Sequence, residues 1–169
     1  MKYFLSLGSN LGNKKENLRR AILLLEKEGV KILRTSSLYR TQPVSSFPQP
    51  WFYNQVIEIE ASSNPHLLLD LVKRVEVKMK RKSTVRNGPR IIDIDILLAD
   101  QEVIQTKKLM IPHPKLEMRN FVMVPLIEIA PDLIHPLLNQ NIWSLWKKGE
   151  DRSIVKRIEE RDKKKKKKI

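Results

Sequence analysis

The stretch that most restricts the fold of this chain combines a buried-strand pattern with two carboxylates. Residues 88–98 read GPRIIDIDILL. Successive side chains of a strand point to opposite faces of its sheet, so Asp93 and Asp95 share one face, about 7 Å apart, and the isoleucines fill the other. Two anions this close repel each other and lose hydration beside isoleucines. The pattern therefore predicts a sheet strand whose paired negative charge is compensated by some other group.

Two interpretations of this aspartate pair remain open from the stretch itself. A magnesium ion would offset the repulsion, because carboxylate oxygens are hard ligands and water and substrate phosphates usually complete the coordination of this ion. Alternatively, both aspartates lie on an exposed face and meet lysines, since short motifs often arise by chance. The neighbouring segments have to decide between these interpretations.

The composition limits the class of protein. With 169 residues, of which 41% are hydrophobic and 31% charged, the chain has the length and balance of one soluble globular domain. It has no cysteine, which excludes disulfides, thiolate nucleophiles and zinc–thiolate sites. The first apolar run is shorter than that of a signal peptide, and no later run has the length of a membrane span. We therefore expect a cytoplasmic protein without membrane attachment.

The net charge of +14 raises the possibility of a nucleic-acid partner, but its distribution argues against one. Residues 152–169 contain ten basic and three acidic side chains, which is half of the net charge. The lysines of Lys163–Lys168 repel one another, so we expect this end to be disordered. We predict a single domain over residues 1–150 and a basic C-terminal helix or tail over 151–169. Nucleic-acid binding beyond non-specific contacts of the lysine tail is not expected.

Periodicity predicts the order of the secondary-structure elements. These are a strand at Tyr3–Leu7, a helix at Lys14–Lys27 that stops at Gly29, strands at Val30–Tyr39 and Val56–Ala61, a helix capped by Asn64 and Pro65, and the aspartate strand. This order favours an α+β fold, a ferredoxin-like βαββαβ two-layer sandwich with an antiparallel-rich sheet and helices on one face. After Leu109 the many prolines predict loops and short helices.

Two segments without periodicity border the predicted strands. We call residues 41–50 the proline-rich loop and residues 80–89 the basic loop; loops of this length are usually functional or disordered. The basic loop contains Arg81, Lys82 and Arg86, and together with Arg90 these cations lead directly into the aspartate strand. Because guanidinium groups match phosphate and aspartate-bound magnesium bridges phosphate oxygens, this combination indicates phosphoryl-type transfer. Simple neutralisation of the aspartates by these cations remains open.

Further candidates flank these segments. The sequence WFYN at 51–54 fits either a plug in the core or a slot in which one ring stacks a planar heterocycle and the Asn54 amide reads its edge. His113 stands between two prolines, and both ligand contact and a structural role remain open for it. The chain has no Walker loop, nucleophile elbow or H-E-x-x-H motif, which argues against covalent catalysis. Together these features favour ATP with a heterocyclic acceptor.

Five segments, taken together, resemble the 6-hydroxymethyl-7,8-dihydropterin pyrophosphokinase family of folate synthesis. They are LGSNLG, SSLYRTQPV, FYNQVIEIE, GPRIIDIDILL and IPHPKLEMRNFVMVPLIEIAP, spread in this order over Tyr3–Pro136. The resemblance implies a monomeric ferredoxin-like domain that moves the terminal pyrophosphate of ATP onto the pterin hydroxymethyl group and releases AMP. Asn87 and Pro114 stand where members of the family often have aromatic residues.

The resemblance also implies roles for individual residues. Asp93 and Asp95 are implied as ligands of two magnesium ions and, with Arg81 and Arg90, as the catalytic set. The residues implied to bind the pterin are Gly8, Thr41, Pro43, Val44, Phe52, Asn54 and Phe121. Those implied to bind ATP are Lys73, Glu76, Arg81, Arg86, Arg90, Ile96, His113 and Arg119. We expect residues 80–87 to close over ATP and exclude water.

Two other functions remain as alternatives. The first is another magnesium-dependent nucleotidyl or phosphoryl transferase that uses the same aspartates. The second is an RNA-binding ferredoxin-like domain, which the basic composition favours. Such a domain stacks bases on aromatic residues of its central strands, and its RNP1 pattern does not occur in this sequence.

Overall fold

The computed structural model describes residues 1–82 and 85–159. Lys163–Lys168, for which the sequence predicts disorder, therefore lie outside the described residues. The helices are α1 (Lys14–Lys27), α2 (Pro65–Lys78), α3 (Asn120–Ile129) and α4 (Ile142–Lys148), with a 3-10 turn at Leu116–Met118. The strands are β1 (Lys2–Ser9), β2 (Lys31–Thr35), β3 (Tyr39–Thr41), β4 (Phe52–Glu60), β5 (Asp93–Ala99), β6 (Ile104–Gln105), β7 (Met110–Ile111) and β8 (Val155–Arg157).

The main sheet is antiparallel and follows the order β5-β1-β4-β3-β8, with β2 also paired to β4. The succession of strand, helix, two-part strand, strand, helix and strand, with β1 between β4 and β5, confirms the ferredoxin-like α+β fold. The register places Gly8 of β1 opposite Asn54 of β4 on one side and Asp93 of β5 on the other. Three segments that are distant in sequence thus meet at one end of the sheet.

Both faces of this sheet are covered. Helices α1 and α2 pack on one face, where Leu18, Leu25, Leu68 and Val72 join a single apolar cluster with β1, β4 and β5. The prediction that helices lie on one face is incomplete, because α3, α4 and the 3-10 turn cover the opposite face around Phe4. Strand β4 therefore has apolar residues on both faces, with Ile57 and Ile59 on one and Val56 on the other. No helix in the described ranges has the length and apolarity needed to cross a bilayer.

The two long helices begin where the sequence predicts. The Asn13 side chain accepts the N–H of Glu16 at 3.2 Å, and that of Asn64 accepts the N–H of Leu67 at 3.0 Å. Both are N-caps, which satisfy amide groups that lack a partner within the helix. After α1 the chain turns at Gly29, which has φ +90, a conformation that favours glycine.

The single strand predicted over Val30–Tyr39 is wrong, since the chain forms β2 and β3 with a break at residues 36–38. Ser36 causes the break. Its Oγ accepts the N–H of Val56 at 3.0 Å, and its carbonyl accepts a hydrogen bond from the Gln55 side chain at 2.9 Å. Serine hydroxyl groups compete with backbone partners in this way, whereas valine or isoleucine would continue the ladder.

The helix or tail predicted to start at residue 151 is wrong for residues 155–157, which form β8. This strand pairs antiparallel with β3, and Ile158 N–H continues the contact to the Leu38 carbonyl at 2.8 Å. The edge of β3 has unpaired backbone groups that another strand can satisfy, and β-branched Val155 suits a strand. The main sheet therefore includes residues past 150.

The Glu128 carboxylate of α3 fastens this helix to the break between β2 and β3. It accepts hydrogen bonds from the Ser37 hydroxyl and the Tyr39 hydroxyl, both at 2.6 Å, and from the Ser37 N–H.

We expect Glu128→Ala to lower the free energy of unfolding by about 1–2 kcal/mol, because the buried Tyr39 hydroxyl loses its partner. Urea titration measures this change. A control, exposed Glu150→Ala, should stay within about 0.5 kcal/mol, and equal effects of the two substitutions would contradict the assignment.

Candidate active site

The end of the sheet where β1, β4 and β5 meet forms the floor of a cavity of about 390 Å³. Strand periodicity points Phe52 and Asn54 of β4 toward the same side. Other walls come from the proline-rich loop, from the basic loop with Arg90, and from the segment that leads into α3. The lining residues predicted from the sequence are Gly8, Thr41, Val44, Phe52, Asn54, Arg90, Asp93, Arg119 and Phe121.

The absence of a side chain at Gly8 makes room for the Asn54 amide. A Cβ on residue 8 would lie 2.5 Å from Asn54 Oδ1, which is closer than van der Waals contact allows. Asn54 is 4% exposed, and its Nδ2 donates to Thr41 Oγ1 at 2.6 Å. This bond fixes the orientation of the amide. The cavity floor therefore presents one amide in a single orientation, which is how a protein reads the edge of a polar ring.

Two aromatic rings flank this amide, Phe52 from β4 and Phe121 from the start of α3. Each has a guanidinium group nearby, at 6.0 Å between Arg90 and the Phe52 ring centre and 5.6 Å between Arg119 and the Phe121 ring centre. Aromatic faces with polar groups at the rim suit a flat heterocycle.

The other aromatic residues of the WFYN cluster do not line this cavity. Arg40 lies 4.6 Å from the ring centre of Trp51, and Lys14 Nζ lies 5.3 Å from that of Tyr53. The cluster thus contributes the Phe52 ring and the Asn54 amide to the cavity. The Trp51 and Tyr53 rings contact cationic side chains instead.

One member of the aspartate pair, Asp93, lines the cavity, and Asp95 does not. Asp93 accepts hydrogen bonds from Arg81 Nη1 and Arg90 Nη1, both at 3.1 Å, and its side chain is 26% exposed. The interpretation of an exposed pair that meets lysines is therefore wrong for Asp93. The main chain of Asp95 pairs with Ser6 of β1, but its side chain makes no hydrogen bond or ion pair within residues 1–82 and 85–159. Burial and the Asp93 charge raise the pKa of Asp95 to about 7.

A second cleft, of about 360 Å³, opens on the other side of Arg90. Its charged lining consists of Lys73, Glu76, Arg81, Lys82, Arg86 and Arg90. Glu76 is 3% exposed and pairs with Arg81 and, at 3.3 Å, with Lys73. The carboxylate therefore orients two cations, and the excess positive charge of the lining suits a polyanion such as a triphosphate.

The remaining predicted residues take different positions. Pro43 does not line either cavity, and the Ile96 side chain is buried in the core, so any ligand contact of Ile96 involves its main chain. His113 is held by its N–H, which donates to the Leu97 carbonyl at 2.9 Å, and by its Nδ1, which accepts the Lys115 N–H at 3.1 Å. Burial and the Arg119 charge lower the pKa of His113 to about 4, so the imidazole is neutral at pH 7.

Sequence reasoning missed several residues of the first cavity. They are Gln42, Gln49, Asn87, Lys115 and Met118. All of them lie in the two long loops or within five residues of His113. The loops were recognisable from their lack of periodicity, but without periodicity the sequence does not indicate which side chains point inward.

The acidic half of the site fits magnesium. Among the described residues there is no group of three or more His, Cys, Asp or Glu side chains that would enclose an ion. Two carboxylates on one strand face are the donors present, with a cation-lined cleft beside them. Magnesium usually binds one or two carboxylates and takes its other ligands from water and phosphate. The donor set therefore suits an ion that arrives with a phosphorylated substrate.

Comparison with known proteins identifies a family that this chain matches. Residues 4–131 match the model of the family described as 7,8-dihydro-6-hydroxymethylpterin-pyrophosphokinase. The 2-amino-4-hydroxy-6-hydroxymethyldihydropteridine pyrophosphokinase of Bacillus subtilis is 42% identical over 128 residues, which cover 75% of this chain and 77% of that protein. The Haemophilus influenzae protein of the same name is 38% identical over 154 residues, 90% of this chain and 96% of that protein.

Longer proteins contain the same region. The folic acid synthesis protein of Pneumocystis carinii is 38% identical over 89% of this chain, but the chain spans only 20% of that protein's length. A crystal structure of Plasmodium falciparum HPPK-DHPS, wild type with pteroate, has a TM-score of 0.71 at 20% identity and covers 87% of this chain and 42% of that one, which shows a shared fold. The resemblance inferred from the sequence is confirmed. The chain belongs to the 7,8-dihydro-6-hydroxymethylpterin-pyrophosphokinase family, whose activity is ATP-dependent pyrophosphoryl transfer in folate biosynthesis.

Proposed function

We propose that this chain transfers the terminal pyrophosphate of ATP to the hydroxymethyl group of 6-hydroxymethyl-7,8-dihydropterin, giving the pterin diphosphate and AMP. The observation that carries the proposal is that Arg90 lines both cavities, with Asp93 hydrogen-bonded to it. A slot for a flat ring and a cleft for a polyanion thus share one wall, and Asp93, which Arg90 contacts, lines the slot beside that wall. The names of the bacterial relatives support the same substrates.

In the first cavity, Phe52 and Phe121 would hold the pterin ring between their faces. The Asn54 amide, fixed by Thr41, offers both a donor and an acceptor to the ring edge, and main-chain groups of Pro43 and Val44 would complete that edge. Stacking and edge recognition together place the hydroxymethyl group toward the aspartates.

In the second cleft, the cations would bind the triphosphate. Arg81, Arg86 and Arg90 offer planar donors, and Lys73 adds a point charge that Glu76 keeps in place. We also assign nucleotide contacts to Arg119, which lines the first cavity, and to His113, which lines neither cavity and would act as a neutral donor or acceptor.

Asp93 and Asp95 would hold two magnesium ions. When bound, these ions neutralise phosphate charge and make the pterin hydroxyl easier to deprotonate. Arg81 and Arg90, which pair with Asp93 in this structure, would then exchange that carboxylate for phosphate oxygens. Both arginines are already directed at the site, so little reorganisation is needed.

The reaction forms a bond between the pterin hydroxyl oxygen and the β-phosphorus of ATP, and it breaks the bond from that phosphorus to the oxygen bridging to the α-phosphate. AMP leaves, and the hydroxyl proton passes to solvent or phosphate. We assign no strong general base, because the residues supply positioning and charge stabilisation, which dominate transfers of this kind. We propose that the monomer is active and that its single domain includes β8, which pairs with β3.

Separation of the nucleotide products tests this proposal against other transferases. With ATP, magnesium and 6-hydroxymethyl-7,8-dihydropterin, pyrophosphate transfer yields AMP, phosphate transfer yields ADP, and nucleotidyl transfer yields free pyrophosphate. We expect pterin-dependent AMP. Pterin-dependent ADP or pyrophosphate in its place would assign the site to one of the other reaction classes.

Substitution at Gly8 tests the pterin slot. We expect Gly8→Ala to weaken pterin binding by about tenfold or more, or about 1–2 kcal/mol, because the new methyl group displaces the Asn54 amide. Calorimetric titration with the pterin measures this effect. Gly12→Ala is a useful comparison, because it strains the backbone of the β1–α1 connection, where Gly12 has φ +67, but its nearest neighbour is Asn17 at 3.9 Å and the Asn54 amide is not displaced. If both substitutions left pterin affinity unchanged, the Asn54 amide would not read the ligand.

A further inference from the structure

A buried asparagine at the end of β1 fastens the two functional loops to one point. Asn10 is 1% exposed, and its Nδ2 donates to Gln49 Oε1 and to the Pro50 carbonyl, both at 2.9 Å. On its other side, Asn10 Oδ1 accepts the Arg90 N–H at 2.8 Å, and the Asn10 N–H donates to the Arg90 carbonyl at 3.1 Å. The end of the proline-rich loop and the residue that follows the basic loop are therefore held together.

Gln49 extends this network across the opening between the cavities. Its Nε2 donates to the Asn87 carbonyl and to Ser45 Oγ, both at 2.8 Å. Asn87 has φ +58, a left-handed conformation that asparagine adopts more readily than most residues with a side chain. One amide thus links the wall of the first cavity to the backbone of the basic loop, which borders the second.

We infer that Gln49 is a positioning residue that couples the two substrate sites. The inference rests on the proposed function. Asn87 lines both cavities, so a nucleotide that holds its backbone in the second cleft also fixes Gln49 and with it the wall of the pterin slot. A pterin seated against Gln49 favours the same arrangement of Asn87. Such coupling is reciprocal, because each ligand changes the affinity for the other by the same factor.

Gln49 also lines the pterin cavity, so a direct contact with the pterin has to be separated from coupling. Loss of a direct contact weakens pterin binding equally with and without nucleotide. Loss of coupling changes the ratio of the two affinities, and that ratio is the quantity to measure.

The test uses calorimetric titration of the full chain with 6-hydroxymethyl-7,8-dihydropterin, with and without saturating magnesium and α,β-methylene ATP. In this analogue the bond that the reaction breaks is replaced by a stable methylene bridge. Gln49→Glu retains the acceptor for Asn10 and removes the donor to Asn87, and Gln49→Ala removes both. Gln42→Ala is the matched control, because Gln42 lines the same cavity but accepts the N–H of Ile154, at 3.1 Å, outside the basic loop. Circular dichroism verifies that each variant is folded.

We expect the nucleotide analogue to tighten pterin binding by about tenfold in the wild type, within the usual range for coupled sites. This factor should fall below about twofold in both Gln49 variants and persist in Gln42→Ala. An unchanged factor in Gln49→Glu, or no coupling in the wild type, would overturn the inference. A wild type that bound both ligands but produced no AMP would contradict the proposed function instead, and the coupling ratio would still be measured.

Discussion

Asp95→Asn should nearly abolish transfer and at the same time make the ligand-free protein more stable. The side chain keeps its size but loses the charge that would hold magnesium, and several kcal/mol of charge stabilisation disappear with it. We expect the rate to fall by about 10³-fold or more, equivalent to about 4 kcal/mol. Initial rates of AMP formation at saturating magnesium measure this loss. Substantial activity under those conditions would remove Asp95 from the metal site.

The stability gain follows from the raised pKa of Asp95. Its pKa is about 7 in the folded chain and about 3.9 in an unfolded one, so the folded state binds the proton more tightly. Between these values the wild type loses stability as pH rises, and above pH 7 the full penalty is present. Asparagine removes the penalty, which we expect to amount to about 1–3 kcal/mol at pH 8, or about 3–10 °C in Tm.

Below about pH 4 the two proteins should melt together, because Asp95 is then protonated in both states of the wild type. Thermal unfolding at pH 4 and pH 8 therefore separates this electrostatic effect from a general change in packing. Magnesium should reduce the advantage of the variant at pH 8, since an ion bound to the wild type stabilises the ionised carboxylate. A variant that was less stable than the wild type at pH 8 would contradict a destabilising effect of this buried charge.

Arg90→Lys should lower the turnover number by about a hundredfold although the positive charge is retained. The guanidinium bridges two partners at once, with Nε donating to the Gly88 carbonyl and Nη1 donating to Asp93, both at 3.1 Å. Lysine has no planar fork and cannot make both contacts in that geometry. Because Arg90 lines both cavities, its loss disturbs the alignment of the two substrates.

Steady-state kinetics distinguish alignment from simple charge. We expect kcat to fall most, the KM for ATP to rise several-fold and pterin affinity to change little. Arg20→Lys on the exposed side of α1 is the matched control and should behave like the wild type. An Arg90→Lys enzyme with normal kcat and only a raised KM would mean that Arg90 supplies charge for binding and has no part in alignment.

Much of the fold was predictable because its elements obey strong local rules. Helices α1 and α2 combine asparagine caps with an apolar stripe, and β5 has an unmistakable period of two. The break between β2 and β3 was not predictable, because it depends on Ser36 bonding to β4, a partner twenty residues away. β8 escaped prediction for a similar reason, since its few residues become a strand only beside the open edge of β3.

The candidate site was predictable only to the extent that its chemistry lies in short motifs. The Asp93 and Asp95 pair and Asn54 stand on strands, where periodicity fixes the direction of each side chain. Gln49 and Asn10 lie in loops, where direction depends on contacts between distant segments. The need for glycine at position 8 likewise became clear only when β4 was placed beside β1.

The most direct test of this account is a crystal structure with magnesium, α,β-methylene ATP and 6-hydroxymethyl-7,8-dihydropterin. We predict that the pterin ring lies between Phe52 and Phe121 with its edge on Asn54, that the triphosphate lies in the cleft beyond Arg90, and that Asp93 and Asp95 both coordinate metal. A pterin bound elsewhere, or metal held without Asp95, would contradict the account.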